Sequence, residues 1–155
     1  MGAVRKATIK DLTVIVPLLR DLHGESVLRT AEINERKLRS FITHCLQTPT
    51  RVCLVYESTA LTIEGLLIGY TADRFFSKER GAWDLVFYVR PEKRGTLVAY
   101  RRWSAFKSWA TGSGASILWL GTAAGVDARL SRKFYLGLGM KEIGGIFRVN
   151  SQANG

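Results

Sequence analysis

The sequence is short of the residues that build cross-links and metal sites. It holds two cysteines, Cys45 and Cys53, and two histidines, His23 and His44. Two cysteines are too few for the framework of a small secreted fold, so a reduced, cytoplasmic setting is expected. His44 beside Cys45 has no companions at ligand spacing, and no metal site is expected. Long apolar runs are also missing. The longest stretch without charge, residues 108–126, covers 19 positions, nine of them Gly, Ser or Thr, which argues against a membrane span. Residues 1–6 contain no apolar export stretch, and Lys6 stands where a myristoylation signal needs Ser or Thr. No repeat, low-complexity tract or linker divides the chain.

What remains is an ordinary globular composition, 46% apolar and 23% charged over 155 residues. A chain of this length buries roughly 70% of its unfolded surface, and a single domain over residues 1–155 is expected. Acidic residues are the last shortage, 13 against 23 basic, for a net charge of +10. The excess is uneven: residues 1–84 carry 12 basic and 10 acidic side chains, residues 85–155 carry 11 and 3. The second half therefore suits an anionic partner, whether nucleic acid, an anionic surface or a phosphate-bearing ligand. A basic face kept for solubility is the plainer alternative.

Hydropathy patterning supplies the elements. Residues 4–9 alternate as a short strand. Leu12, Ile15, Leu19 and Leu22 mark a helix over 11–23, which Pro17 should bend or interrupt and Gly24 should end. Asn34 can cap a second helix reaching about residue 46. Residues 51–57 and 64–74 read as a hairpin, and 83–89 as a third strand. A helix over 97–111 places Ala99, Trp103, Phe106 and Ala110 toward a core and Arg101, Arg102 and Lys107 on the other side. Residues 117–120 suit a buried strand, 127–138 a helix stopped by Gly139, and 141–149 a final strand kinked at Gly144-Gly145. The result is a mixed α/β domain, with residues 83–89 and 117–120 expected to lie parallel through a right-handed crossover.

The informative stretch is Val89-Arg90-Pro91-Glu92-Lys93-Arg94-Gly95-Thr96-Leu97, where a strand passes through a basic loop into a helix. Unpaired N–H groups at the helix start, the helix dipole and Arg94 together suit a phosphate or pyrophosphate. The loop lacks the Lys-Ser/Thr of a P-loop NTPase and the three glycines of a dinucleotide fingerprint. An ordinary β–α turn with exposed basic residues fits the same pattern.

Arg94-Gly95-Thr96-Leu97-Val98-Ala99, five residues beyond the strand end, resembles the Arg/Gln-x-x-Gly-x-Gly/Ala signature of the GNAT superfamily of N-acetyltransferases. Phe134-Tyr135-Leu136-Gly137-Leu138-Gly139-Met140 resembles the family's last-helix signature, and the element order matches along nearly the whole chain. Leu22-His23-Gly24-Glu25-Ser26 and Gly144-Gly145-Ile146-Phe147-Arg148 look like phage-type members. The chain departs from the pattern at Leu97, Ala128 and Met140.

The resemblance implies a mostly antiparallel central sheet with a splayed parallel strand pair, and acetyl-CoA as cosubstrate. Backbone groups of Phe87, Tyr88 and Val89 would pair with the pantetheine arm. N–H groups of Arg94, Gly95, Thr96, Leu97, Val98, Ala99 and Tyr100 would cradle the pyrophosphate. Tyr135 would be the general acid toward the CoA thiolate; a core aromatic is its other reading. Asp84, between apolar neighbours, is the preferred base, acting through water, although a solvated strand residue or an arginine partner fits equally. Glu25 and His23 would line the acceptor side, where His23 could also serve as base. The acceptor would be a primary amine, on a small molecule or as a protein lysine or N-terminus, and a homodimer fits the family. The competing class is a catalytically silent module holding nucleic acid or protein on its basic surface, with Trp103 and Trp109 available for stacking.

Overall fold

The computed structural model describes residues 2–151. Its elements follow in the order β1 (Ala3–Lys6), α1 (Leu12–Glu25), α2 (Glu35–Gln47), β2 (Arg51–Glu57), β3 (Ile63–Asp73), β4 (Arg80–Val89), α3 (Leu97–Gly112), β5 (Ile117–Trp119) and α4 (Ala128–Gly137). Local chemistry sets several boundaries. The Asn34 side chain accepts from Lys37 N–H at the start of α2, and Thr96 accepts from Val98 N–H at the start of α3. Pro17 does not interrupt α1. Ile15, Val16, Leu18 and Leu19 on either side of it are all buried against the sheet, and that burial outweighs the roughly 3 kcal/mol a helical proline costs.

The five strands lie in chain order. All neighbours are antiparallel except β4 and β5, which pair in parallel over Gly81–Ile117, Ala82–Leu118 and Trp83–Trp119. This is the expected mixed sheet. Its opening has two causes in the register. β5 stops at Trp119, while β4 continues to Val89. The β3–β4 register also shifts between Ile68–Val86 and Gly69–Asp84, so Leu85 is an extra residue and β4 bends there. Beyond Trp83 the two strands no longer pair.

Helices cover both faces. α1 and α2 form one core with Val55, Leu66, Ile68 and Tyr88. α3 forms the other with Leu54, Leu67, Ala82 and Phe106. α4 joins this second face through Phe134 and Tyr135, whose ring centroids lie 6.1 and 6.2 Å from that of Phe87.

Two expectations are overturned. Residues 141–149 form no strand. Ile143, Phe147 and Val149 fall on one side of an extended chain, but Gly145 leaves a gap in that row and Ile146 falls on the other side, so the stripe is too sparse to hold the segment to the sheet. Phe147 is 97% exposed. Ion pairing of Glu142 with Arg132 at 2.8 Å and a hydrogen bond from Arg148 Nη1 to Val27 O at 2.9 Å tether the segment instead. Arg102 is the second: it does not belong to the basic outer side of α3 but lies at 0% exposure in line with Val98, Phe106 and Ala110.

Candidate functional site

The opening between β4 and β5 gathers most of the chemistry. On the α3/α4 face, Asp84 leads off the unpaired part of β4, and its Oδ1 accepts from Gly121 N–H at 3.0 Å. Gly121 follows β5 closely. Its carbonyl accepts from the Tyr135 hydroxyl at 3.3 Å. One glycine therefore ties a carboxyl and a phenol to the same mouth. Burial pushes the Asp84 carboxyl up to about 6, against the pull of the Gly121 N–H. Burial, with the nearby Asp84 charge, holds the Tyr135 phenol well above its ordinary value.

Behind them lies Arg102, a group that sequence reasoning missed. Its Nη1 donates to Leu66 O at 2.9 Å and to Tyr88 O, and its guanidinium carbon stands 5.0 Å from the Phe87 ring centroid. Gly65 makes room for it, because a Cβ there would come within 2.6 Å of the guanidinium. No carboxylate pairs with it among the described residues, its Nη2 is buried without a partner, and burial lowers it to about 9. The i, i+4 line from Val98 through Arg102 to Phe106 was the available signal.

The structure places Glu25 on the opposite side, at the end of α1. Glu25 Oε2 accepts from Tyr88 Oη at 2.6 Å and from Arg94 Nη2 at 2.8 Å. Arg94 also reaches Asp127 at 3.3 Å and donates through Nε to Val89 O at 3.1 Å. The Arg94 guanidinium holds the Glu25 carboxyl below its ordinary value. Burial and Glu25 raise the Tyr88 phenol. Above this cluster two loops meet. Val27 N–H donates to Ala124 O at 2.9 Å, and Gly125, at φ +71°, has a position where a Cβ would strike Val27 at 2.6 Å. His23 Nε2 is buried nearby in sequence without a hydrogen-bond partner.

Along the free edge of β4, Arg90 N–H donates to Glu64 O of β3. Alternation then turns Tyr88 toward β3 and the N–H and C=O of Phe87 and Val89 toward the opening. At the start of α3, Arg94 N–H turns back onto Pro91 O at 3.2 Å, and Val98 N–H is capped by Thr96 Oγ1 at 3.3 Å. Leu97 and Ala99 are first-turn residues whose N–H groups lack intrahelical acceptors, whereas Tyr100 begins the helical ladder. Gly95, at φ +76°, turns the chain into the helix. The Leu97 side chain, 64% exposed, points away from the core. A groove of about 500 Å³ lies here, lined by Tyr56, Gly95, Thr96, Leu97, Val98 and Arg101. Among the described residues no helix is long and apolar enough to cross a membrane, and no three His, Cys, Asp or Glu side chains group as metal ligands.

No protein-family model and no curated protein matches the sequence. Solved structures do match the fold along nearly its whole length. AAC(6')-Iy in complex with the bisubstrate analogue CoA-S-monomethyl-acetylneamine superposes with a TM-score of 0.80 at 15% identity, covering 99% of each chain. A predicted acetyltransferase with acetyl-CoA from Clostridium acetobutylicum gives 0.74 at 21% identity, over 97% of this chain and 96% of the other. Glucosamine-6-phosphate N-acetyltransferase from Arabidopsis thaliana gives 0.75 at 14% identity, over 98% and 99%. The chain has the fold of the GNAT acetyltransferases.

Proposed function

We propose that this chain, acting as a single domain, is an acetyl-CoA-dependent N-acetyltransferase that transfers acetyl to a primary amine by direct attack. The observation that carries the reading is the pairing of Asp84 and Tyr135 across Gly121 at the one place where the parallel strands part. The fold shared with acetyltransferases supports it.

In this reading the pantetheine arm adds to the β4 edge through Phe87 and Val89, and the pyrophosphate meets the start of α3 with Arg94 beside it. The thioester carbonyl then lies at the opening. The amine gives up a proton toward Asp84, directly or through water, and its nitrogen attacks the carbonyl carbon. A backbone N–H near Val89 meets the oxyanion. The C–S bond breaks, the thiolate takes the Tyr135 proton, and the second proton of the attacking nitrogen passes to the Tyr135 oxygen as the amide forms. The two carriers are held in the required states at neutral pH. A carboxyl near 6 is largely ionised but still basic enough to accept a proton, and a phenol raised by burial stays protonated.

Thermal unfolding with and without acetyl-CoA tests the premise. A ligand at 100 times its Kd stabilises a fold by about 2.7 kcal/mol, a rise of about 5–10 °C for this size. ATP and a short DNA duplex serve as anionic controls. A shift specific to CoA species, followed by CoA release when amines are added, is the expected result. A shift with DNA alone, fading in salt, would replace the enzyme with a binding module.

A further inference from the structure

Packing does not account for Arg102. Its side chain is wholly buried on the α3 face of the sheet, with no carboxylate beside it among the described residues and Nη2 without a partner. Burial lowers it to about 9, which leaves it charged at neutral pH. A lone buried cation costs stability, and an apolar side chain of similar volume would fill the same space at lower cost.

The two carbonyls it holds do not need it. Leu66 and Tyr88 face each other across β3 and β4, in the same alternation that lets Arg90 N–H donate to Glu64 O at 3.1 Å, so they exchange the ladder's own hydrogen bonds. Arg102 Nη1 adds a charged donor to the remaining lone pair of each oxygen, Leu66 O at 2.9 Å and Tyr88 O.

Tyr88 O belongs to the same amide group as Val89 N–H. No peptide of the described chain is cis, so the two point in opposite directions: the oxygen toward β3 and Arg102, the N–H toward the opening. The Val89 carbonyl lies on the same side as its N–H and is reached by Arg94 Nε at 3.1 Å, not by β3. A charged donor on a carbonyl draws electron density through its amide and strengthens the opposite N–H as a donor.

We infer that Arg102 is the positioning residue of the oxyanion site, acting through the Tyr88–Val89 peptide. It holds the Tyr88 carbonyl against β3, which aims the Val89 N–H into the opening and polarises it toward the oxyanion formed when an amine attacks the thioester. The guanidinium itself touches no substrate. Gly65 completes the arrangement, since a Cβ there would come within 2.6 Å of the guanidinium and displace it. The link to an oxyanion rests on the N-acetyltransferase reading; the polarised amide does not.

Amide-nitrogen NMR of the free protein reads the peptide, and infrared difference spectra at saturating, carbonyl-labelled acetyl-CoA read the thioester. A hydrogen bond on a carbonyl moves the next residue's amide nitrogen downfield. Arg102→Met and Arg102→Gln remove the charge, and Gln keeps a neutral donor should the Met variant not fold. In both, the nitrogens of Val89 and Leu67, which follow the two bonded carbonyls, should move upfield while the rest of β3 and β4 hold their positions. Arg102→Lys should return them most of the way. The carbonyl band of bound acetyl-CoA, lowered in the wild type relative to the free thioester, should lose most of that shift in the neutral variants and regain it with Lys. A Val89 nitrogen that stays in place in the neutral variants overturns the inference. So does a carbonyl band that ignores them, or a lysine variant no better than methionine. A Val89 nitrogen that moves as expected in a protein that binds no acetyl-CoA leaves the polarised amide standing and removes the enzymatic reading.

Discussion

Asp11, held by Arg5 of the edge strand β1, and Asp84, at the β4–β5 side of the sheet, carry the same side chain, yet their environments drive them apart. Asp11 is 8% exposed, and both its oxygens receive Arg5 at 2.8 and 2.9 Å, with Thr8 N–H at 2.7 Å and Glu57 sharing the same guanidinium. The Arg5 hydrogen bonds, more than any other contact, hold it down at about 2. Asp84 has only backbone N–H groups, those of Gly121 and its own, and no ion pair among the described residues, and burial takes it to about 6. Burial alone therefore does not decide a carboxyl's charge; the supply of positive partners does. The basic second half of the chain withholds an arginine from Asp84 although Arg102 lies buried behind the same opening.

The largest effect expected from breaking this contrast is on rate. Asp84→Asn keeps the Gly121 contact but removes the proton acceptor, and should lower kcat/KM at pH 7 by about 10²–10³-fold. The deficit should shrink toward high pH, where more of the amine is already neutral. Wild-type activity should also fall as pH drops through about 6, the Asp84 value. A variant that retains this acid limb would show that another group is the base. Tyr135→Phe should cost less, roughly tenfold to a hundredfold in kcat, with acetyl-CoA affinity unchanged. An unchanged kcat would return Tyr135 to the role of a core aromatic.

Stability should separate the two aspartates by sign. Asp11 has a folded value of about 2 against an ordinary 3.8, so its contribution is present above pH 4 and is lost as pH falls through 2. Asp11→Asn should destabilise by about 1–2 kcal/mol at pH 7. Asp84 has a folded value of about 6 against 3.8, so its contribution is complete below pH 4 and is lost as pH rises through 6. Asp84→Asn should then stabilise at pH 8 by about 1–3 kcal/mol and change little at pH 4. Melting curves of both variants across pH 3–8 check the pair. Shifts of the same sign at pH 8 would mean that Asp84 is held ionised by something not visible in its contacts.

The sequence made the contrast only half legible. Local features were readable: the Asn34 cap, the Val89-to-Leu97 turn, the hairpin and the strand–helix–strand unit that makes β4 and β5 parallel. Each depends on residues close in the chain. Asp84 between Trp83 and Leu85 already hinted at burial. Arg102 was misread because a charged side chain within a helix is usually solvated, and the space that admits it comes from Gly65 on another strand. The Glu25–Tyr88–Arg94–Asp127 cluster joins four separate elements and had no sequence signal beyond its residue types. Residues 141–149 have the β-branched and aromatic content of a strand, but Gly144-Gly145 break the row that a sheet would bury.

The smallest expected effect concerns a carboxylate whose partner is contested. Arg94 pairs with Glu25 and Asp127, and its guanidinium lies 5.5 Å from the Tyr88 centroid. If a donor pyrophosphate claims Arg94, it does so against Glu25. Glu25→Gln removes that competition while leaving an oxygen to accept from Tyr88 Oη. A partly exposed ion pair is worth about 0.5–1 kcal/mol, so acetyl-CoA should bind about threefold more tightly to the variant. The KM for a cationic acceptor should rise, because the ammonium loses a carboxylate at the same mouth. Weaker acetyl-CoA binding would mean the opposite coupling, with Glu25 holding Arg94 in the position the phosphate needs. Either sign separates Glu25 from Asp84: its charge is set by a neighbour that a ligand can take away, whereas that of Asp84 is set by burial that no small anion can reverse.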